Sequence, residues 1–128
     1  MIIGVVNSRC EAMLPIVVRN ERKQTQFFEA VIDTGFSGFL TLPAAMIAEL
    51  DLPWNGSDSV TLGDGSETLF DLYAATVIWD GQFRDIDIAE SETEPLIGMS
   101  LLEGYRLVVD VIPKGSVTVA PLAIDYDR

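Results

Sequence analysis

The chain contains no histidine. That absence removes the usual proton carrier near neutral pH, every Ser-His-Asp or Cys-His site, and the commonest nitrogen ligand of zinc. Cysteine occurs once, as Cys10, so no internal disulfide is possible and a reducing compartment is expected. Its "NSRCEA" surroundings offer no designated base, which makes it an incidental thiol. Basic residues are scarce too: eight Lys and Arg face twenty Asp and Glu, for a net charge of −12. Nucleic acid and anionic membrane need a basic footprint, so neither is an expected partner. No apolar run approaches the length of a membrane span, and "MIIGVV" lacks the basic flank and length of a secretory leader. A cytoplasmic location is expected on those grounds. No glycine-rich stretch joins a strand to a substantial helix, so nucleotide fingerprints are missing, and "GDGSE" lacks the alternating oxygen ligands of a calcium loop. Metal and cofactor are both expected to be absent. Carboxylates are what remains for chemistry.

What is present reads as β structure. The 128 residues, 48% of them hydrophobic, suit one folded domain spanning 1–128. Short stretches rich in β-branched and aromatic residues predict strands at 13–19, 25–33, 59–63, 69–81, 84–90, 106–112 and 116–122. In "RDIDIAE" the alternation puts Ile86 and Ile88 on one face and Asp85 and Asp87 on the other. Asn20, "NGS", "GDGS", "DGQ" and "PKGS" punctuate the strands. Helices are expected only at 43–50, opened by Pro43, and at 99–104, ended by Gly104. Many short strands at even spacing predict an all-β sandwich or small barrel. The remaining acids Asp71, Asp80, Asp85, Asp87, Asp110 and Asp125 read as solvated faces and turns.

One carboxylate does not fit that last description. In "FFEAVIDTGFSGFLTLP" (27–43), Asp33 stands between two apolar runs, where an unpartnered charge is costly. The segment Val31-Ile32-Asp33-Thr34-Gly35-Phe36-Ser37-Gly38 resembles the signature of the aspartic proteases, in particular the single-domain, retropepsin-like kind of bacterial type. Their second marker, two apolar residues and a glycine opening a short helix, is matched by Leu96, Ile97 and Gly98 in "LIGMSLLEGYRLVVDV". Between the two lies "VTLGDGSETLF" (60–70), at the place of the family's flap. The resemblance covers about residues 13 to 120.

It implies a retropepsin-like closed β barrel with one or two short helices. It implies Asp33 as the catalytic group, with Thr34 locking the loop to its counterpart across a dimer and Gly35 admitting a substrate backbone. Gly63, Asp64, Gly65 and Ser66 would form the flap tip, and Ser37, Leu96, Ile97 and Gly98 would support the catalytic loop. Such enzymes use two aspartates sharing a proton, and this chain has one "DTG", so a homodimer acting on a peptide or protein is implied. A catalytically weak module binding peptides or proteins through the same cleft is the alternative. Phe36 departs from the pattern, standing where the family has Ala, Ser or Thr.

Overall fold

A computed structural model of the chain describes residues 1–61 and 63–123. Leu62, within the expected flap, and Asp125 lie outside those residues. The elements run β1 (Ile2–Val6), β2 (Ala12–Arg19), β3 (Thr25–Ile32), β4 (Leu40–Leu42), α1 (Ala44–Glu49) and β5 (Trp54–Thr61). They continue with β6 (Glu67–Trp79), β7 (Gln82–Glu90), β8 (Leu96–Ile97), α2 (Met99–Leu102), β9 (Tyr105–Val109) and β10 (Ser116–Pro121). The fold is all-β, with two short helices among the described residues.

Local chemistry accounts for most boundaries. Asp80 and Gly81 both take positive φ, 52° and 76°, between the paired Trp79 and Gln82, which is the two-residue turn that an Asp-Gly pair favours. The β1–β2 and β2–β3 turns are built alike from "NSRCE" and "NERKQ". In each, the leading Asn accepts two backbone N–H bonds through Oδ1, and its Nδ2 donates to the closing Glu11 or Gln24. The fourth residue is left-handed in both, Cys10 at φ 59° and Lys23 at φ 63°. Cys10 therefore occupies a turn position and is exposed.

Four expectations needed correction. "MIIGVV" forms β1, an antiparallel partner of both β10 and β2. The strand placed at 59–63 begins at Trp54, because a bulge between Trp54 and Ser57, with Gly56 at φ 99°, absorbs the residues that broke its pattern. The strand placed at 106–112 stops at Val109, where the chain turns back through Lys114 at φ 65°. The second helix ends at Leu102, since Glu103 adopts an extended ψ of 131°.

The strands make one sheet in the order β5-β6-β7-β4-β8-β3-β2-β1-β10-β9, and β2 also pairs with β6. Its pairs are antiparallel except β3 with β8 and β4 with β7. Period-two burial supplies the core: Leu14, Ile16 and Val18 from β2, Val77 and Trp79 from β6, Ile86 and Ile88 from β7, Val117 and Val119 from β10. Each such side chain contributes about 1.5–3 kcal/mol by leaving water. Ile47 of α1 and Leu101 and Leu102 of α2 close the core.

Candidate active site

β3 and β4 follow one another in the chain but are not neighbours. β8 lies between them, with Val31 and Ile32 opposite Leu96 and Ile97 on one side and Leu40 opposite Ile97 on the other. The connection, residues 33–39, carries the Asp-Thr-Gly motif. It must arch over the end of β8, and the residues there hold it down. The Asp33 N–H donates to the Ile97 carbonyl at 2.9 Å, Gly98 N–H to Phe39 O at 2.9 Å, and Met99 N–H to Phe36 O at 2.8 Å. Ser100 adds its N–H to Gly38 O at 3.1 Å and its hydroxyl to Ser37 O at 2.6 Å. The start of β8 is fixed in turn by Thr41, 2% exposed, whose Oγ1 accepts from the N–H of the half-buried Leu96 at 3.0 Å. Thr41 and Ser100 lie inside the quoted segments but were not singled out there, since a lone hydroxyl has no periodic signature.

Phe36 gives the arch its apolar anchor. The residue is 1% exposed, and its ring packs where Cβ atoms on Gly38 and Gly98 would have to go. A Cβ on Gly98 would also strike the Gly38 carbonyl. Those two glycines are therefore required by Phe36. A side chain that looked like a departure from a motif is the core contact that seats the loop.

Asp33 itself is half-buried. Its Oδ1 accepts the Gly35 N–H at 2.9 Å, which fixes the carboxylate over its own loop. No Lys or Arg pairs with it among the described residues. Thr34 and Gly35 are exposed at the crest of the arch.

The β5–β6 hairpin folds down onto this crest. Ser37 N–H donates to Thr61 O at 3.3 Å, and Thr61 N–H donates to Ser37 Oγ at 3.2 Å. A Cβ on Gly35 would sit 2.5 Å from Gly63 Cα, so the two glycine backbones touch. A Cβ on Gly63 would lie 3.7 and 3.9 Å from the two Asp33 carboxylate oxygens. Of the expected tip residues, Gly63 reaches the site. Asp64, Gly65 and Ser66 form the turn beyond it: Asp64 Oδ1 accepts the Ser66 hydroxyl at 2.6 Å and its N–H at 2.9 Å, and Gly65 takes φ 85° with open space around it. Those two bonds, the hydroxyl's first, hold the Asp64 carboxyl below its ordinary range.

Asp33, Gly35, Ser37 and Gly63 thus meet in one place, with Leu96, Ile97 and Gly98 beneath. Sequence reasoning missed the cavity next to them. About 220 Å³ in volume, it is bounded by the loop at Phe36–Phe39 and by Asp58, Ser59, Leu72, Asp87, Ala89 and Ser100. The alternation of β7 put Asp87 on the polar face, but nothing local showed that this face turns toward the Asp33 loop. Asp80 is also half-buried, bonded to the N-terminal ammonium and the Tyr105 hydroxyl. Burial, then the Asp80 charge, raise the Tyr105 hydroxyl above its ordinary range.

Among the described residues no cluster of three or more His, Cys, Asp or Glu could hold a metal ion, and no helix is long and apolar enough to cross a membrane. No protein-family model matches the chain, and no curated protein matches it. What the arrangement offers chemically is one carboxylate, oriented by a backbone N–H, beneath the β5–β6 hairpin.

Proposed function

We propose that the chain is half of a homodimeric aspartic endopeptidase. The observation that carries this reading is the position of Asp33: on a short arch clamped to the end of β8, with a flap glycine seated against it. The strand pairings support the barrel that such an enzyme would use. The contact of β2 with β6 links the pairings into the circuit β2-β3-β8-β4-β7-β6, and that circuit supports a closed barrel from which β1, β10 and β9 would extend.

The chemistry calls for a second carboxylate, because one acid cannot take a proton from water and also give one to the peptide carbonyl in the same step. A second copy supplies it. Thr34 and Gly35 are exposed at the crest, and a two-fold axis there brings the two Asp33 side chains together. The pair holds one proton. The ionised aspartate takes a proton from water as the oxygen attacks the carbonyl carbon, and the other gives its proton to the carbonyl oxygen. Collapse of the resulting gem-diol breaks the C–N bond, with a proton passing to the departing amine. Gly35 and Gly63 leave room for an extended peptide between arch and flap once the Ser37–Thr61 bonds open.

Incubation of the protein with a random peptide library, read by mass spectrometry, tests this. Cleavage is expected, with Asp33→Asn abolishing it at unchanged melting temperature. Specific activity should fall on dilution as sedimentation shows the dimer dissociating. Cleavage that survives Asp33→Asn, or specific activity that stays constant in a fully monomeric sample, overturns the reading.

A further inference from the structure

We infer that the cavity beside the Asp33 arch is a side-chain pocket that selects a basic residue, Lys or Arg, at one position of the cleaved peptide. The inference rests on the peptidase reading above. The lining includes the arch itself at Ser37 and Gly38 and the hairpin strand β5 at Asp58 and Ser59. A peptide lying between arch and flap must therefore pass its mouth. The volume of about 220 Å³ lies below the about 300–1,000 Å³ of pockets that take a whole small molecule, and it suits one side chain.

The lining sets the chemistry. Phe39, Leu72 and Ala89 offer apolar surface for a methylene stem, and the charges are the carboxylates of Asp58 and Asp87. Asp87 is half-buried and positioned by Asn55, whose Nδ2 donates to its Oδ1 at 2.8 Å, leaving Oδ2 for a ligand. Asp58 Oδ1 accepts the Ser59 N–H at 2.8 Å, which likewise leaves Oδ2. No Lys or Arg lines the cavity, and neither carboxylate has an ion-pair partner among the described residues. Arg84 comes near without lining it. Its guanidinium is committed to the carbonyls of Leu101 and Ser100 at 3.1 and 3.2 Å, and lies 5.5 Å from the centre of the Phe39 ring. A long stem ending in a cation satisfies both parts of this lining. An aliphatic side chain satisfies only the first, and Glu opposes the second.

Peptides of matched sequence carrying Lys, Arg, Leu or Glu at each position in turn, compared by kcat/KM, test the assignment. At one position Lys and Arg should exceed Leu by about tenfold, as two part-exposed ion pairs allow, with Glu poorest and the preference shrinking as salt is added. The double change Asp58→Asn with Asp87→Asn should bring the Lys-to-Leu ratio close to one. Asp58→Lys, at an exposed site where folding is safe, should shift the preference toward Glu. Cleavage that is indifferent to Lys, Leu and Glu at every position, or a Lys preference that persists in both variants, overturns the pocket and leaves the peptidase reading standing. Failure of the wild-type protein to cleave any peptide overturns the peptidase reading itself, and the pocket assignment with it.

Discussion

The β2–β3 turn and the flap tip are closed by nearly the same device. In the first, Asn20 Oδ1 accepts the N–H groups of Arg22 and Gln24 at 3.0 and 2.9 Å; in the second, Asp64 Oδ1 accepts the N–H and hydroxyl of Ser66. Their surroundings differ. Asn20 is 7% exposed, and its Nδ2 reaches across to the Leu50 carbonyl at 2.8 Å, tying the turn to the end of α1. The Asp64 turn is exposed, and its hairpin is fastened to the rest of the molecule near its tip through Ser37. A polar side chain suffices to close a turn. What differs is what each turn is buried against, and the exposed one lies over Asp33.

The largest expected effect that probes this contrast is at Asn20. Asn20→Ala removes four hydrogen bonds and leaves the Leu50 carbonyl without its donor, so stability should fall by about 2–4 kcal/mol. The twin turn provides the control. Asn7 makes the same local bonds without a bond to a distant carbonyl and is half-buried, so Asn7→Ala should cost about 1 kcal/mol. Urea unfolding of both variants measures the difference. Equal losses would mean that burial adds nothing to the turn's own chemistry.

A smaller effect is expected where arch and flap meet. Gly35→Ala forces a Cβ into Gly63, so the hairpin must lift, at about 1–3 kcal/mol for the overpacking. Amide exchange at Thr61 should then quicken as its bond to Ser37 opens, and peptide cleavage should drop. Gly65→Ala meets no atom but forces a non-glycine residue to φ 85°, at about 1–2 kcal/mol of backbone strain, with Thr61 exchange unchanged. If the two variants quicken Thr61 alike, the contact at Gly35 is not what seats the flap.

The smallest effect concerns protons. The Asp64 carboxyl is held below its ordinary range by Ser66, so the ionised turn is favoured in full above the ordinary carboxylate value. That contribution is lost as pH falls through the lower folded value. The Ser66 amide signal in an NMR titration should move in that acidic window, while the Arg22 and Gln24 amides, bonded to an uncharged Asn20, should report no titration of their own partner. A Ser66 midpoint at the ordinary carboxylate value would break the assigned hydrogen bonds.

These contrasts separate what could be read along the chain from what could not. Richness in β-branched and aromatic residues marked β2, β6 and β7, and alternation marked β7 besides, because residue type and a period of two are both local signals. Asp80-Gly81 marked its own turn for the same reason: the conformation belongs to those two residues. The Asp-Thr-Gly and Leu-Ile-Gly segments could be singled out as motifs. Their meeting was implied by the resemblance but could not be derived from either segment, since a strand of two residues has no periodicity and its place between β3 and β4 is set by pairing across more than fifty residues of chain. The β1 strand escaped notice because its outward Ile3 and Val5 blur the alternation.

By itself, then, the amino-acid sequence determined the β content, most turns, the excess of negative charge and the absence of any histidine chemistry, all of which follow from residue type and near-neighbour spacing. The tertiary structure alone decided that Phe36 seats the arch, that Gly63 of the β5–β6 hairpin is the glycine facing Asp33, and that Asp87 lines a cavity beside it. Each of these is a contact between segments far apart in the chain. Such contacts are fixed by which strands pair and by how their shared core packs, and no stretch of sequence carries that information alone.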